Sequence, residues 1–102
     1  MKNDGINIAA PRDTPIVAAE NGIVVYEGNE MQGFGNLVLL KHPGGWMSAY
    51  GHCAKIFVKR GQTVNQGDRI ALVGDTGNVR SSQLHFELRK KSTVVDPLQY
   101  LE

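Results

Sequence analysis

Twelve glycines break this chain into short apolar segments, and that spacing limits the folds open to it more than any other feature. The segments are about four to eight residues long and recur about every ten residues, as strands joined by turns do. No segment repeats its apolar residues about every 3.6 positions, the spacing of an amphipathic helix. The sequence therefore predicts an all-β fold of antiparallel strands, a sandwich or barrel-like sheet, with little or no helix.

The turn residues indicate where individual strands begin and end. Asn21-Gly22 stands between two apolar runs, which is the strongest short-range signal for a β-hairpin. Pro43–Gly45 is predicted to join the strand Gly35–His42 to a returning strand, Trp46–Cys53. A brief turn is predicted near the C-terminus, from Pro97.

Two stretches of the chain echo each other. PIVAAENGIVVYEGN and QTVNQGDRIALVGDTGN share a valine, a polar turn that ends in glycine, an apolar strand and a second glycine. We interpret them as two similar β units that pack together.

Length and composition indicate one ordinary globular domain. The chain has 102 residues, of which 41% are apolar and 21% charged. Its net charge of +1 argues against a dedicated nucleic-acid binder. The single cysteine, Cys53, excludes an internal disulfide and a cysteine cluster for a metal. Patterned sequence follows Met1 without a signal peptide or membrane span, so we expect a domain excised from a longer protein.

The stretch SSQLHFEL alternates between polar and apolar residues, which is the pattern of a half-buried strand. Its polar face holds Gln83, His85 and Glu87, and its apolar face holds Leu84, Phe86 and Leu88. The imidazole of His85 is thus predicted to lie between an amide and a carboxylate. Such a face either belongs to a site or merely solvates the strand.

His52 lies on another predicted strand, and alternation places it on the same face as Ser48 and Tyr50. Cys53 then points away from His52, which argues against a Cys–His nucleophile pair and predicts a small core residue. His42 precedes a turn and is predicted to be exposed to solvent. Two strand histidines are too few for zinc, which needs three or four converging ligands.

The order of these motifs resembles the LytM, or lysostaphin-like, zinc peptidase domain. The resemblance runs from Gly5 to Leu101 and rests on GINIAAPRDTPIVAAENG, SAYGHC, GDTGN, QLHFE and VVDPLQYL. It implies a β-rich fold with a duplicated hybrid motif and a groove over one sheet. In active members, which are peptidoglycan endopeptidases, zinc is held by a His and an Asp of an H-x-G-x-D-type segment and by the second His of an H-x-H. The first His of the H-x-H and the His of a Y-x-H segment assist the reaction.

Carried over by resemblance, most of these positions hold other residues. The first ligand position is Asn3, the aspartate position is Asn7, and the first histidine of H-x-H is Gln83; the retained positions are His85 and, behind Tyr50, His52. His85 is therefore the only ligand position retained, and one histidine with neutral amides does not hold zinc. Without the metal nothing activates the attacking water, and Gln83 is no general base. We expect no metal, no other cofactor and no peptidase activity.

Degenerate LytM domains of the NlpD and EnvC type activate cell-wall amidases that separate daughter cells. The resemblance implies that residues 1–102 are one such domain, taken from a longer protein of the periplasm or bacterial cell envelope. It would bind and activate an N-acetylmuramoyl-L-alanine amidase during peptidoglycan splitting and cell division. The former active-site groove would bind the partner, through Asn3, Asn7, Tyr50, His52, Gln83 and His85.

Three other functions stay open at this point. The groove would bind peptidoglycan without an amidase partner, or a rearranged zinc site would retain endopeptidase activity by recruiting Asp4, whose side chain should project to the opposite strand face. The segment VNQGDRIALVGDTGN also resembles biotinyl- and lipoyl-carrier domains and glucose-permease phosphocarriers. The glycine turns offer no carrier lysine, although His52 and His85 would imitate the phosphocarrier's histidine pair. The C-terminal VVDPLQYL favours LytM.

Overall fold

The computed structural model describes residues 5–90 and, as backbone, residues 93–95. This part of the chain contains nine β-strands, a single 3₁₀ turn at Pro43–Gly45 and no α-helix. The strands are β1 (Ile6–Ala9), β2 (Pro15–Val17), β3 (Gly22–Gly28), β4 (Asn36–His42), β5 (Trp46–Ile56), β6 (Thr63–Val64), β7 (Arg69–Val73), β8 (Gln83–Lys90) and β9 (Thr93–Val95). The predicted all-β fold is confirmed. The predictions for Asn3, Asp4 and Pro97 concern positions outside the described residues.

All strand pairs are antiparallel. The main path of the sheet has the order β1-β8-β5-β4-β3-β6, β9 pairs with β8, and β7 pairs with both β2 and β5. The first half of β5, Trp46–Gly51, pairs with β8, whereas the second half, Cys53–Ile56, pairs with β7. The hydrophobic core contains Ile16, Ala18, Val24, Val38, Leu40, Tyr50, Cys53, Val58, Val64, Ile70, Ala71, Val73 and Phe86.

The internal sequence echo corresponds to two interlocked β units, as predicted. The first unit contains β2 and β3, and the second contains β6 and β7. Strand β2 pairs with β7, and β3 pairs with β6, so each strand crosses to the other unit. The connections are also joined, because the Ala18 N–H donates to the Asp68 carbonyl and the Gly67 N–H donates to the Ala18 carbonyl, each over 2.9 Å.

The prediction of a hairpin at Asn21-Gly22 is wrong, because β2 and β3 both pair with other strands. Asn21 Oδ1 instead accepts a hydrogen bond of 2.7 Å from the Gln66 N–H. A Cβ atom on Gly22 would overlap the Lys41 carbonyl and the His42 ring. Asn21 and Gly22 therefore hold the two β units together at the place where they cross: Asn21 bonds to the other unit, and Gly22 allows the backbones to approach closely.

A β-bulge interrupts β5 at His52. Asn36 of β4 stands opposite Cys53 and Val38 stands opposite Tyr50, so one residue of β4 faces two residues of β5. His52 has a φ of 66°, in the left-handed region that few side chains adopt. The extra residue turns Tyr50 and Cys53 towards the same core, and the predicted sharing of one face by Tyr50 and His52 is wrong.

His42 is buried, with 5% of its surface exposed, and the prediction that it faces solvent is wrong. Its Nδ1 lies 2.8 Å from the Asn21 carbonyl, so Nδ1 carries the proton. The Ser48 hydroxyl then donates to His42 Nε2, and the Tyr50 hydroxyl donates to Ser48 Oγ, each over 2.7 Å. The Ala19 N–H donates to Tyr50 Oη over 3.0 Å. Every member of this buried chain is paired, which offsets the cost of burying it.

Candidate functional site

His85 lies in the middle of β8, between β1 and the first half of β5. Its register partners are Asn7 on β1 and Gly51 on β5. The predicted alternation holds here, since Phe86 packs in the core and His85 contacts Glu87 on the opposite face. Three strands therefore place this imidazole on the face of the sheet that lies away from the core.

Glu87 lies on the same face of β8 as His85 and holds its ring. The Glu87 residue is only 3% exposed. His85 Nε2 donates to Glu87 Oε2 over 2.7 Å, and Arg89 donates to Oε1 through Nη2 (2.6 Å) and Nε (3.0 Å). Burial alone would raise the pKa of this carboxyl, but the His85 hydrogen bond and the charge and hydrogen bonds of Arg89 outweigh it. The pKa of Glu87 is therefore lowered. These side chains form a linked ionic network, which is more than a solvated strand face requires.

The other ring nitrogen of His85 is also engaged. Nδ1 lies 2.7 Å from Asn7 Oδ1, so the Asn7 amide faces the retained ligand position directly. Zinc binds a free lone pair of imidazole, thiolate or carboxylate, and here both imidazole nitrogens already have partners. Within residues 5–90 no three His, Cys, Asp or Glu side chains gather as a metal-binding group. The donor set around His85 in the described structure does not fit zinc.

His52 is held beside His85 by the bulge and two loops. Its backbone N–H donates to the Phe34 carbonyl over 2.8 Å, and its Nδ1 lies 2.7 Å from the Thr76 carbonyl. A carbonyl only accepts, so Nδ1 carries the proton. The rings of His52 and His85 meet edge to face, with centroids 6.0 Å apart. The two imidazoles that the sequence singled out are thus neighbours.

The loops 29–35 and 74–82 form one wall of the site. The Phe34 ring lies 5.4 Å from the His85 ring, centroid to centroid. Thr76 Oγ1 donates to the Cys53 carbonyl over 2.7 Å and accepts from the Asn36 N–H over 3.1 Å. A Cβ on Gly77 would meet the backbone of the first loop. Sequence reasoning noted the GDTGN turn but missed Phe34 and Thr76 as site residues, because their roles depend on contact between distant loops.

Not all of the predicted site residues reach this face. Asn7, His52 and His85 come together, and Gln83 lies on the same strand face as His85, although its Nε2 donates to the nearby Ser81 carbonyl over 3.1 Å. Tyr50 does not line the groove, because it stands opposite Phe86 of β8 and points into the core, where it is 1% exposed. Asn3 lies outside the described residues.

Cys53 is a core residue, as predicted, and its side chain is fully buried. Burial raises the pKa of this thiol to about 12. The thiol therefore stays protonated and offers neither a nucleophile nor a metal ligand.

Comparison with known proteins identifies the family. The model of peptidase family M23 matches residues 1–97, and the chain belongs to this family, as its resemblance to LytM domains implied. The fold agrees with solved members. It superposes on the catalytic domain of lysostaphin from Staphylococcus simulans with a TM-score of 0.89 at 30% identity, covering 96% of this chain and 77% of that one. For the M23 protein EnpA from Enterococcus faecalis, the TM-score is 0.87 at 33% identity, with coverage of 98% and 79%.

The similar curated proteins carry other names. The chain is 48% identical to the cell division protein DipM of Caulobacter vibrioides over 96 residues, which is 94% of this chain and 16% of DipM. It is 48% identical to the uncharacterized lipoprotein YgeR of Escherichia coli and 44% identical to the murein hydrolase activator NlpD of the same species, each over 99 residues. These matches cover 97% of this chain, 39% of YgeR and 26% of NlpD. The chain thus spans well under half the length of these relatives.

Proposed function

We propose that this chain is a non-catalytic LytM domain that activates a cell-wall N-acetylmuramoyl-L-alanine amidase during peptidoglycan splitting at cell division. The observation that carries the proposal is the engagement of both His85 nitrogens, one by Asn7 and the other by Glu87. In this arrangement the former ligand position completes an internal network. The structural neighbours include peptidases, but several similar proteins are named murein hydrolase activators.

The chemistry of the site suits docking better than hydrolysis. Its polar groups include the amides of Asn7 and Gln83, which are uncharged and do not exchange protons near neutral pH. The Glu87 carboxylate is buried, paired with Arg89 and hydrogen-bonded to His85. Activation then follows from differential binding, in which the domain binds the open form of the amidase more tightly and raises its population.

The compartment follows from the same proposal. Relatives are named lipoproteins or cell division proteins, and an amidase substrate exists only in the bacterial cell wall. We place the domain in the cell envelope, in the periplasm. No helix in the described residues has the length and apolar character to cross a membrane.

The proposal is tested by amidase stimulation with dye-labelled sacculi and purified cell-wall amidases of the host. The wild-type domain should release no peptide fragments alone and should increase dye release by one amidase. Asn7→Arg should lower that stimulation at least about tenfold, because it places a bulky cation where the partner docks. Thr63→Arg is the matched control, since Thr63 is exposed on β6 at the opposite end of the sheet from β1.

Two outcomes would contradict the proposal. Cleavage of peptide cross-links by the domain itself, together with stoichiometric zinc in metal analysis of the purified protein, would make it a peptidase. Co-sedimentation with purified sacculi without stimulation of any amidase would make it a peptidoglycan-binding module.

A further inference from the structure

His52 keeps one ring nitrogen free of the described residues. The residue is only 6% exposed, and its Nδ1 donates to the Thr76 carbonyl. No described residue forms a hydrogen bond or ion pair with Nε2. The His52 ring lies beside the His85 ring, so this nitrogen belongs to the site.

The hydrogen bond to the Thr76 carbonyl fixes the tautomer of His52 and therefore makes Nε2 a hydrogen-bond acceptor. Since Nδ1 carries the proton, Nε2 of the neutral ring holds a lone pair that no described residue uses and that can accept a hydrogen bond. His85, the other imidazole of the site, has no free nitrogen. His52 is therefore the imidazole acceptor that the described site presents to a ligand.

The backbone conformation of His52 and its hydrogen bonds fix the orientation of the ring. Its backbone lies in the left-handed region, which costs free energy for a residue with a side chain. Hydrogen bonds from two loops, through Phe34 and Thr76, hold it there. The ring is thus oriented before any partner binds, and little conformational entropy is lost on binding.

We propose that His52 Nε2 accepts a hydrogen bond from an uncharged N–H or O–H group of the protein partner, and that this contact selects the partner. The inference rests on the proposed function and names the chemistry of the group recognised. A partner that brings an apolar atom to this position leaves Nε2 desolvated and unpaired, which weakens its binding.

The surroundings favour a protein segment over a glycan strand. Phe34 packs beside His85, and Met31, in the same loop, is 44% exposed. The Phe34 N–H donates to the Met31 carbonyl over 3.3 Å, so a turn joins the two residues. The aromatic ring beside His85 and an exposed methionine in the same turn suit contact with apolar protein side chains.

Two substitutions at position 52 distinguish the loss of the acceptor atom from damage to the fold. His52→Asn keeps an N–H that reaches the Thr76 carbonyl, and asparagine tolerates the left-handed conformation, but it places no atom where Nε2 lies. His52→Gln carries its amide oxygen one bond further and restores an acceptor near that place. Lys59→Gln, at an exposed position outside the site, is the control for a surface substitution.

The first measurement is the Kd of each variant for the amidase that the wild-type domain stimulates, by calorimetry. His52→Asn should weaken binding about tenfold, which is the loss of one well-formed hydrogen bond, and His52→Gln should recover part of it.

Long-range ¹H–¹⁵N spectra of the free wild-type domain should show a proton on Nδ1 and none on Nε2, and the Nε2 resonance should shift when amidase is added.

The outcomes separate this inference from the proposed function. If the wild-type domain stimulates an amidase and His52→Asn binds it equally well, or if Nε2 is protonated, only the inference is overturned. If no amidase is bound or stimulated, the proposed function fails as well. If the wild-type domain binds sacculi and His52→Asn loses that binding, the donor belongs to peptidoglycan and the protein partner is wrong.

Discussion

Ser48 shows how a single hydroxyl holds a buried polar chain together. It donates to His42 Nε2 and accepts from the Tyr50 hydroxyl, and it is itself 1% exposed. These bonds connect β4 and β5 to the Asn21 carbonyl, near the crossing of the two β units. This row of hydrogen bonds therefore stabilises both the pairing of β4 with β5 and the packing of the core around it.

Ser48→Ala should lower the free energy of unfolding by about 1–3 kcal/mol, because it leaves His42 Nε2 buried without a donor and the Tyr50 O–H buried without an acceptor. The measurement is urea denaturation followed by fluorescence. Ser82→Ala is the control: Ser82 Oγ donates to the Ala10 carbonyl over 2.7 Å in a partly exposed setting, so its loss should cost less. Equal costs at the two positions would contradict a special role for the buried chain.

At the scale of elements, the site depends on the loops 29–35 and 74–82 meeting beside the bulge of β5. The Asn78 N–H donates to the Gly33 carbonyl over 3.1 Å, and Thr76 joins both His52 and Asn36. Gly77 has a φ of 84° and touches the backbone of the opposite loop. The position of the His52 ring is thus decided by how closely the two loops approach.

Gly77→Ala tests this loop contact. A side chain at positive φ costs about 1–2 kcal/mol, and the overlap with the opposite loop should add about 1–3 kcal/mol. Gly61→Ala is a matched control, because Gly61 has a φ of 91° but a Cβ there meets nothing within 4 Å. Thermal unfolding of the two variants gives the comparison. Equal Tm values would mean that the second loop moves away without cost.

For the molecule as a whole, Glu87 links the site to the pH dependence of folding. Its pKa is lowered in the folded state, so its ionised form stabilises the fold. That contribution is fully present above the ordinary glutamate value, about 4.3, and it is lost as the pH falls through the lower folded pKa. The domain should therefore lose stability in acid partly through this network.

Glu87→Gln provides the test. The variant keeps an amide oxygen as acceptor but removes the charge, so it should be less stable than the wild type near pH 7. The difference should shrink as the pH falls below the ordinary glutamate value, about 4.3, and through the lower pKa of the folded state. Denaturant titrations across this range give the difference, with Glu27→Gln on the exposed side of β3 as control. A difference unchanged down to about pH 2.5 would contradict the lowered pKa.

Much of the architecture follows from local patterns in the sequence. Period-2 alternation in β8 is a local property, so it correctly predicted the shared face of Gln83, His85 and Glu87 and the core position of Phe86. The repeated glycine-strand-glycine pattern likewise predicted two packed β units. The position of Cys53 in the core was also predicted, although by an alternation that the bulge interrupts.

Other features depend on residues that are distant in the chain, and only the tertiary structure decided them. The extra residue at His52 arises from pairing with β4, and it places His52 beside His85. Tyr50, a predicted site residue, lies in the core because it stands opposite Phe86 of β8. His42 is buried because β5 brings Ser48, and the connection between β2 and β3 brings the Asn21 carbonyl, to its ring. The sequence by itself determined strand periodicity and composition, whose physical basis is local. Tertiary contacts decided which side chains the site contains, because a bulge, a buried hydrogen bond and a loop contact each need atoms that the local sequence does not specify.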